Sequence, residues 1–416
     1  MFKRRSSNMA LSQKTIDIIK STAPVLKEHG VTITSVFYKN MFESHPELLN
    51  IFNHANQSKG RQQTALANMV YAAAQNIDRL EEVLPAVRMV AHKHRSLAVK
   101  PEHYPIVGEH LLGAIKEVLG DAATDDIINA WAEAYGVIAQ AFIDTESELY
   151  DAAESQEGGW SDFKEFEVVK KEKESEVITS FYLKPKNGGQ VPTYEPGQYI
   201  TVRVHIPGEK YAMNRQYSLS CAPRHDYFRI SVKKESDATP YGKVSNFLHG
   251  EVEAGDVIEV SAPAGVFILN REENAPIALI SGGVGITPLM SMMESLAKDK
   301  TKREVTFIHA ARSGNVHAFR EEAARWIGEL ENGHLYFGYS QPDTEDHGHH
   351  FTGIISKQML LNTVTKDTIC YVCGPVPFLQ HVVLMLTEMG LPEDHVRYEF
   401  FGPAMDLNRN KESAGK

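Results

Sequence analysis

The spacing of apolar residues changes twice along this 416-residue chain, and that change restricts the possible folds more than any other feature. Up to about residue 150, apolar residues recur at steps of three and four, the period of an amphipathic helix. From 161 to 272, short runs of period two are separated by Gly and Pro, as in an antiparallel barrel. From 273 onward, apolar strands alternate with helices, as in a parallel sheet with helical crossovers. The pattern predicts a multidomain α and β chain: an all-α domain, an antiparallel β-barrel and an α/β parallel-sheet domain.

The same pattern predicts where the domains and their elements begin and end. We expect the all-α domain at 9–150, a linker at 151–160, the barrel at 161–272, the α/β domain at 273–405 and a polar tail at 406–416. The helices predicted in the first domain are 12–28, 31–44, 61–78, 81–98, 102–119 and 125–149. The predicted barrel strands are 163–171, 177–184, 199–206, 215–220, 227–234 and 257–262. The last domain is predicted to hold strands 277–281, 305–310, 335–339 and 369–373, and helices 287–298, 317–330 and 376–389.

Composition excludes several classes of protein. Hydrophobic residues make up 42% of the chain and charged residues 23%, which is ordinary for a folded protein and unlike a disordered chain or a coiled coil. The net charge of −11 disfavours nucleic-acid binding, and three cysteines fit a reducing compartment. The longest apolar stretch, 276–293, is broken by glycines and Pro288 and predicts a strand and a helix, not a membrane span. Lys3-Arg4-Arg5 precedes polar residues, so we expect no signal peptide and a cytoplasmic protein, with Met1 or Met9 as its start.

In the first domain, polar side chains occupy predicted buried stripes. His94 follows Val83, Val87 and Val90 at helical spacing, whereas His92 lies about 200° from it on an ideal helix and is expected to face outward. A histidine on such a stripe can also be a satisfied core residue. The stripes that we expect to face inward are Val31, Ser35, Tyr38 and Phe42; Gln62, Leu66, Met69 and Ala73; Tyr104, Val107, Leu111, Ile115 and Val118; and Trp131, Tyr135, Ile138, Phe142, Glu146 and Leu149.

Glu146 is the most informative of these residues. A buried carboxylate costs several kcal/mol unless it is paired, and a buried His and Tyr can pair with it. The alternative is a carboxylate turned to solvent at the end of a helix. The first domain therefore indicates a pocket with a histidine, a tyrosine and a carboxylate on one side.

Motifs in the second domain indicate a flavin. Arg215-Gln216-Tyr217-Ser218 matches the R-x-Y-S motif of the ferredoxin–NADP reductase superfamily: Arg suits a phosphate, Tyr can stack on a ring and Ser can hydrogen bond the ring edge. Pro196-Gly197-Gln198-Tyr199 precedes it on a strand and resembles a flavin-contact segment of the same superfamily, which implies that Tyr199 is a further flavin contact. In Gly242-Lys243-Val244-Ser245-Asn246, Val244 and Ser245 begin a helix whose N–H groups suit a pyrophosphate.

Motifs in the third domain indicate a nicotinamide dinucleotide. Gly282-Gly283-Val284-Gly285-Ile286-Thr287-Pro288 connects a strand to a helix, where glycines admit a pyrophosphate to the backbone and Pro288 suits the first helical turn. Cys373-Gly374-Pro375 is the superfamily's second marker for the nicotinamide side. Arg312 follows strand 305–310, where such folds meet the adenosine ribose. Two competing readings are open: a redox or metal site at Cys370 and Cys373, and a metal site at 347–350.

Several segments together resemble the bacterial flavohemoglobins. The segments that resemble this family are Phe37-Tyr38-Lys39-Asn40-Met41-Phe42, Ile51-Phe52-Asn53, Lys93-His94, Ile106-Val107-Gly108-Glu109-His110-Leu111-Leu112, Ala134-Tyr135-Gly136-Val137 and Tyr398-Glu399-Phe400-Phe401-Gly402-Pro403. The resemblance implies a globin domain with haem b, in which His94 is the iron ligand and Tyr38 and Gln62 face the opposite position. It further implies that Phe52 and Leu66 line the haem and that Tyr104 and Glu146 hold His94. Glu399 and Phe400 would lie near hydride transfer, although Cys is frequent at position 400 in relatives.

This resemblance implies a nitric oxide dioxygenase. NADH or NADPH reduces FAD, FAD passes single electrons to haem, and O2 oxidises NO to nitrate, which detoxifies NO. Two alternatives are open: a general flavohaem reductase of peroxides, quinones or ferric compounds, and a haem gas sensor. Steady-state NO consumption with NADH and O2 separates the three.

Overall fold

A computed structural model describes residues 11–52, 57, 60–236 and 241–402. The chain divides into two compact units, one of residues 1–154 and 207–214 and the other of residues 155–206 and 215–416. The first unit is helical, and the second contains two β-sheets with their helices. The predicted order of an all-α part, an antiparallel part and an α/β part is confirmed. No helix in the described part of the chain is long and apolar enough to cross a membrane.

Among the described residues of the helical unit, the first and last α-helices are longer than the sequence pattern suggested, and the three between them are shorter. Its α-helices are α1 Gln13–Ser44, α2 Arg61–Gln75, α3 Leu84–Ser96, α4 His103–Leu119 and α5 Asp125–Glu154, with short 3-10 segments at Pro46–Asn50, Leu80–Val83 and Gly120–Ala122. The predicted division between 28 and 31 is wrong, because α1 runs through Pro24 and Gly30 without a break. One buried stripe continues across that point from Ile19 to Met41, and packing of such a stripe outweighs local helix propensity. The last helix also extends to Glu154, beyond the predicted end at 149.

Some residues that were expected to face inward are exposed. On α1 the buried stripe is Ile33, Thr34, Phe37, Tyr38 and Met41. Val31, which is 50% exposed, lies outside that stripe, and so does Ser35. On α2, Met69 is 38% exposed, whereas the buried residues are Ala67 and Ala74. The close approach of α1 and α2 explains the small residues: a Cβ on Gly30 would lie 3.3 Å from the Cβ of Ala67. The stripes on α4 and α5 are confirmed, with Tyr104, Leu111, Phe142 and Glu146 buried.

The first sheet of the second unit is antiparallel and six-stranded within the described residues. Its strands are β1 Phe163–Lys173, β2 Ile178–Pro185, β3 Tyr199–Val204, β4 Met213–Ser218, β5 Phe228–Lys233 and β6 Val257–Ser261. Their order is β4-β3-β6-β1-β2-β5, so the end strands would have to pair to close a barrel. Only an isolated bridge between Leu219, just after β4, and Ile230 on β5 is found there among the described residues, so the predicted barrel is not closed by a strand pair. Helix α6, Lys243–Gly250, follows β5.

The second sheet is parallel and determines where the dinucleotide motifs lie. Its strands are β7 Ile277–Gly282, β8 Val305–Ala311, β9 Gly333–Tyr339, β10 Phe351–Thr352, β11 Ile369–Cys373 and β12 Val396–Glu399, in the order β10-β9-β8-β7-β11-β12. Its helices are α7 Ile286–Lys298, α8 Arg320–Gly328, α9 Lys357–Thr363 and α10 Val376–Glu388. Every predicted strand of this domain is present, whereas β10, α9 and β12 were not predicted because they are short. The carboxyl ends of β7, β8 and β11 carry the motifs, as ligand sites of open α/β sheets do.

Candidate functional site

One side of the predicted pocket in the helical unit is built from α3, α4 and α5. Glu146 on α5 is 3% exposed, and one of its carboxylate oxygens contacts both partners that the sequence suggested. The Nδ1 of His94 lies 2.7 Å from Glu146 Oε1, and the Tyr104 hydroxyl donates to the same oxygen at 2.6 Å. The His94 ring also packs against Phe142, with centroids 5.6 Å apart. The interpretation of Glu146 as a solvated residue at a helix end is therefore wrong.

This arrangement determines which nitrogen of His94 is available to a ligand. Because a carboxylate accepts hydrogen bonds, Nδ1 carries the proton and Nε2 retains its lone pair, the form in which histidine binds metals. Burial, reinforced by the charge of Glu146, raises the pKa of Tyr104, so this phenol stays protonated and keeps donating. The donor set of one imidazole lone pair backed by a carboxylate fits a haem iron.

The position of His92 differs from the expectation. It was expected to face outward, but it is 9% exposed, and Arg95 on the same helix is buried as well. Burial, with the charges of Arg95 and Arg88, lowers the pKa of His92 to about 4. A helical wheel compares the faces of one helix, and it does not show whether a neighbouring element covers the second face. His92 is thus a buried neutral residue, and the Glu146 contact distinguishes His94 from it.

The other side of the pocket is aromatic and contains two polar groups. Tyr38 is 6% exposed and packs against Phe42 and Phe52, with ring centroids 5.8 Å away in both cases. Burial raises the pKa of the Tyr38 hydroxyl, and a side-chain interaction with Gln62 acts against that rise. The Oε1 of Gln62 is buried without a hydrogen-bond partner among the described residues. Leu66 packs against the same apolar cluster. A hydroxyl and an amide in an apolar surrounding suit a small polar ligand.

The two sides of the pocket are adjacent. Tyr135 and Ile138 on α5 pack both against the cluster that contains Tyr38 and against the cluster that contains Tyr104 and Phe142. Tyr135 also donates to the backbone oxygen of Tyr104 at 2.5 Å. The sequence placed Tyr135 on a buried stripe and in a segment that resembles the family, but it did not predict this hydrogen bond. The available signal was Gly108 inside α4, where a Cβ would lie 2.6 Å from the Tyr135 ring.

In the antiparallel sheet, the flavin candidates lie on β3, β4 and α6. Arg215 and Tyr217 on β4 are half-buried, Gln216 is exposed and Ser218 is buried. Burial lowers the pKa of Arg215 and raises that of Tyr217, so a bound anion would stabilise the guanidinium. On β3, Tyr199 is 8% exposed, and a Cβ on Gly265, whose φ is +116°, would come within 3.0 Å of its ring. Only glycine fits beside that tyrosine.

At the start of α6, the hydroxyl of Ser245 is already engaged. It donates to the oxygen of Gly242 at 3.0 Å and accepts from the N–H of Glu235 at 3.2 Å. Gly242 is the N-cap residue, so Ser245 is not the cap. Val244 and Ser245 therefore have their backbone N–H groups, in the first turn of the helix, to offer to a pyrophosphate.

In the parallel sheet, the two dinucleotide motifs contact each other. Gly283–Gly285 forms a 3-10 turn after β7, and Pro288 is the third residue of α7, in the first turn as expected. A Cβ on Gly285 would lie 2.2 Å from the backbone oxygen of Cys373, and a Cβ on Gly374 would lie 2.5 Å from the Phe378 ring. Val284 is half-buried, whereas Ile286 and Thr287 are buried, and Pro375 caps α10. A Cβ on Gly283, by contrast, would meet nothing within 4 Å, so the backbone of the loop is open at that residue.

The remaining predicted positions lie around the same sheet edge. Arg312 follows β8 and is exposed, and its backbone oxygen accepts from the N–H of Gln341. Glu399 pairs with Cys373 across β12 and β11, and after burial its charge is the second cause that raises the pKa of Cys373. Phe400 packs on the apolar cluster beneath, and Phe401 is 43% exposed. Gly402 is half-buried, and Pro403 and the predicted tail lie outside the described residues.

The two competing motifs have ordinary structural roles in the described part of the chain. Cys370 and Cys373 are free, buried thiols, and burial raises the pKa of Cys370 to about 12. His350 accepts from the N–H of Phe337, and His349 contacts the Thr352 hydroxyl. No group of three or more His, Cys, Asp or Glu residues that could hold a metal ion is found among the described residues.

Three domain families match the chain in the order of the fold. A globin model matches residues 35–142, an oxidoreductase FAD-binding domain matches 165–268, and an oxidoreductase NAD-binding domain matches 279–383. A flavohemoprotein of Bacillus thuringiensis subsp. konkukian is 56% identical over 402 residues, which cover 95% of this chain and 100% of that protein.

Two solved structures extend the comparison. The flavohemoglobin of Malassezia yamatoensis, with bound FAD and heme, superposes with a TM-score of 0.84 at 30% identity and covers 94% of this chain and 100% of that chain. The FAD/NAD-binding domain of a nitric oxide dioxygenase from Vibrio cholerae has a TM-score of 0.53 at 37% identity, and covers 58% of this chain and 99% of that chain.

Proposed function

Because the chain belongs to the flavohemoprotein family, we propose that it is an NAD(P)H- and O2-dependent nitric oxide dioxygenase that detoxifies NO. Oxidoreductase models match its FAD- and NAD-binding parts, and the dioxygenase named above resembles those same parts. Haem b, FAD and NADH or NADPH are the cofactors, and O2 and NO are the small-molecule substrates. The free cysteines fit the cytoplasm, and no protein partner or nucleic acid is needed.

The observation that carries the proposal is the pairing of His94, Glu146 and Tyr104 next to the pocket of Tyr38 and Gln62. When bound, haem supplies a single-electron centre that takes diatomic gases, and FAD converts a hydride pair into single electrons. The Nε2 of His94 is the group that would hold the haem. Glu146 keeps the proton on Nδ1 and keeps the imidazole oriented, and Tyr104 fixes the carboxylate through its hydrogen bond.

On the opposite side, Tyr38 and Gln62 act as hydrogen-bond donors to the substrate. Their aromatic and aliphatic surroundings, Phe52 and Leu66 among them, exclude water and strengthen each polar contact. The raised pKa of Tyr38 keeps its hydroxyl protonated at physiological pH. Donors that are fixed before the reaction stabilise negative charge as it develops on the substrate oxygen.

The second unit would deliver the electrons. Arg215, Tyr217 and Ser218 with Tyr199 would hold the flavin, and the N–H groups of Val244 and Ser245 would hold its pyrophosphate. The loop of Gly283–Gly285 with Gly374 would receive the dinucleotide, Arg312 its adenosine end, and Glu399 with Phe400 the region of hydride transfer.

Stoichiometry of NO consumption tests the proposed function. Purified holoprotein is mixed with NADH, O2 and NO, and an NO electrode is read together with nitrate and NADH assays. We expect catalytic loss of NO with one nitrate formed for each NO and one NADH used for every two. An NADH oxidation rate that is the same with and without NO would instead identify a general reductase. Binding of NO without turnover would identify a sensor.

A further inference from the structure

A buried polar cluster at the carboxyl ends of β7, β8 and β9 has no role in the proposed function. It contains Ser281, His309, His317 and Tyr339, which are all at most 4% exposed. Ser281 Oγ lies 2.8 Å from His309 Nδ1, and the Tyr339 hydroxyl lies 2.9 Å from His317 Nδ1. The two imidazole rings contact each other with centroids 4.5 Å apart. The cluster forms a continuous path across three adjacent strands.

Burial keeps both imidazoles neutral. It lowers the pKa of His317 to about 3 and that of His309 well below its usual value. A neutral imidazole has one donor and one acceptor, and the Nε2 of His317 is buried without a hydrogen-bond partner among the described residues. Such a group costs stability, whereas two phenylalanines would fill a similar volume without that cost. Core filling therefore does not explain two histidines at these positions.

The cluster joins the two loops that a dinucleotide needs. Ser281 directly precedes the glycine loop, while His309 lies three residues before Arg312, and His317 ends the 3-10 turn of Gly314–Val316. The path from Ser281 to His317 thus ties the pyrophosphate loop to the segment 312–316 at the adenosine end.

The segment 312–316 has further anchors of its own. Asp346 Oδ2 accepts from the N–H of Gly314 at 2.9 Å, and a Cβ on Gly314 would lie 2.1 Å from Asp346 Oδ1. The Asn315 oxygen accepts from the N–H of Glu176 at 2.9 Å. These contacts hold the middle of the segment, and the cluster supports both of its ends. A segment held at so many points presents its groups to a ligand in one conformation.

We propose that His309 and His317 are positioning residues for the adenosine half of NAD(P)H. This inference rests on the proposed dinucleotide site. The pair holds the segment 312–316 in register with the glycine loop, so the adenosine ribose and the pyrophosphate are bound together. The nicotinamide half, which lies toward Gly374 and Glu399, does not depend on the pair.

Two dinucleotide fragments separate this role from general packing. ADP-ribose carries the adenosine half, and calorimetry measures its binding affinity. Reduced nicotinamide mononucleotide lacks adenosine, and dye reduction measures its turnover. In full-length holoprotein, His317→Phe should weaken ADP-ribose binding about three- to tenfold, as the loss of one hydrogen bond does. Turnover with the mononucleotide should stay unchanged. His317→Asn, which can keep the bond to Tyr339, should bind ADP-ribose nearly as the parent does.

Two further variants complete the test. Tyr339→Phe removes only the hydroxyl and should reproduce the His317→Phe result even if that variant does not fold. His381→Phe removes one hydrogen bond elsewhere in the same domain, to the Ile355 oxygen, and should change neither reading. Unchanged ADP-ribose affinity in both the His317→Phe and Tyr339→Phe variants would overturn the inference. Equal losses with both fragments would overturn it as well. These readings need no NO, so failure of the dioxygenase proposal is seen separately.

Discussion

In the proposed haem site, Glu146 is the residue that would adjust the properties of the His94 ligand. The Glu146 carboxylate is buried, and one of its oxygens accepts from two donors. Removing the charge of this side chain while keeping its shape therefore acts mainly on the electron density of the His94 ring. Glu146→Gln should raise the haem reduction potential by about 60 mV, which corresponds to 1.4 kcal/mol for one electron. A redox titration measures this value, and Glu148→Gln, exposed on the same helix, is the control. An unchanged potential would show that the carboxylate has no electronic role.

Tyr38 tests the opposite side of the pocket. Tyr38→Phe keeps the ring contacts with Phe42 and Phe52 but removes the hydroxyl. A hydrogen bond to a charged partner contributes about 1.5–3 kcal/mol, so O2 release should become about 10- to 100-fold faster. Stopped-flow measurement of O2 release gives this rate. Tyr71→Phe, which removes a hydroxyl that accepts from Gln75 on α2, should leave it unaltered. If the Tyr38 variant also kept the parent rate, its hydroxyl would serve packing alone.

Arg312 tests the choice between the two nicotinamide cofactors. An exposed guanidinium after β8 can receive a 2′-phosphate, whereas a carboxylate there would accept from the 2′-hydroxyl. Arg312→Glu should therefore widen the preference for NADH over NADPH about 10-fold or more. The measurement is the ratio of the two kcat/KM values in dye reduction. Arg325→Glu, exposed on α8, controls for net charge. Equal ratios of the NADH and NADPH kcat/KM values in the two variants would show that Arg312 does not contribute to the cofactor site.

Within the glycine loop, Gly283 is required by its positive φ of 54°, whereas Gly285 is required by a close contact. A Cβ on Gly285 would meet the backbone oxygen of Cys373 at 2.2 Å, so either the loop or β11 would have to move. Gly285→Ala should lower the free energy of unfolding by about 1–3 kcal/mol and raise KM for NADH. Chemical denaturation and steady-state kinetics measure the two effects. Gly328 lies in open space at the end of α8, so Gly328→Ala should change neither the free energy of unfolding nor KM for NADH. Retained stability and KM in the Gly285 variant would refute the contact.

Element by element, the sequence pattern was most reliable where one side of a helix or strand is buried throughout. The stripes of α4 and α5 placed Tyr104 and Glu146 correctly, because one face of each helix packs on the core. Val31, Met69 and His92 were misplaced, because burial there depends on which neighbours cover a helix. Short elements such as β10 and α9 carry too few residues to show a period. The contact of His94 with Glu146 spans 52 positions, and it follows only from how the helices pack.

At the scale of the whole molecule, motif order was the strongest predictor of function. Each of the motifs around Arg215, Gly283 and Cys373 has an ordinary structural explanation when it is taken alone. Their order in one chain, after a globin-like helical part, matches the three domain families and the relatives that share this full length. The sequence could not reveal the cluster of His309 and His317, because its members come from separate strands and loops.

A nitric oxide dioxygenase joins both atoms of O2 to NO, and this is the reaction that we propose for the chain. The most direct measurement is the isotopic mass of the nitrate formed from NO, NADH and ¹⁸O2 by the full-length holoprotein. Transfer of both oxygen atoms predicts nitrate that carries two ¹⁸O atoms and one ¹⁶O atom from NO. Nitrate with a single heavy oxygen, or unlabelled products whose oxygen comes from water, would exclude this reaction.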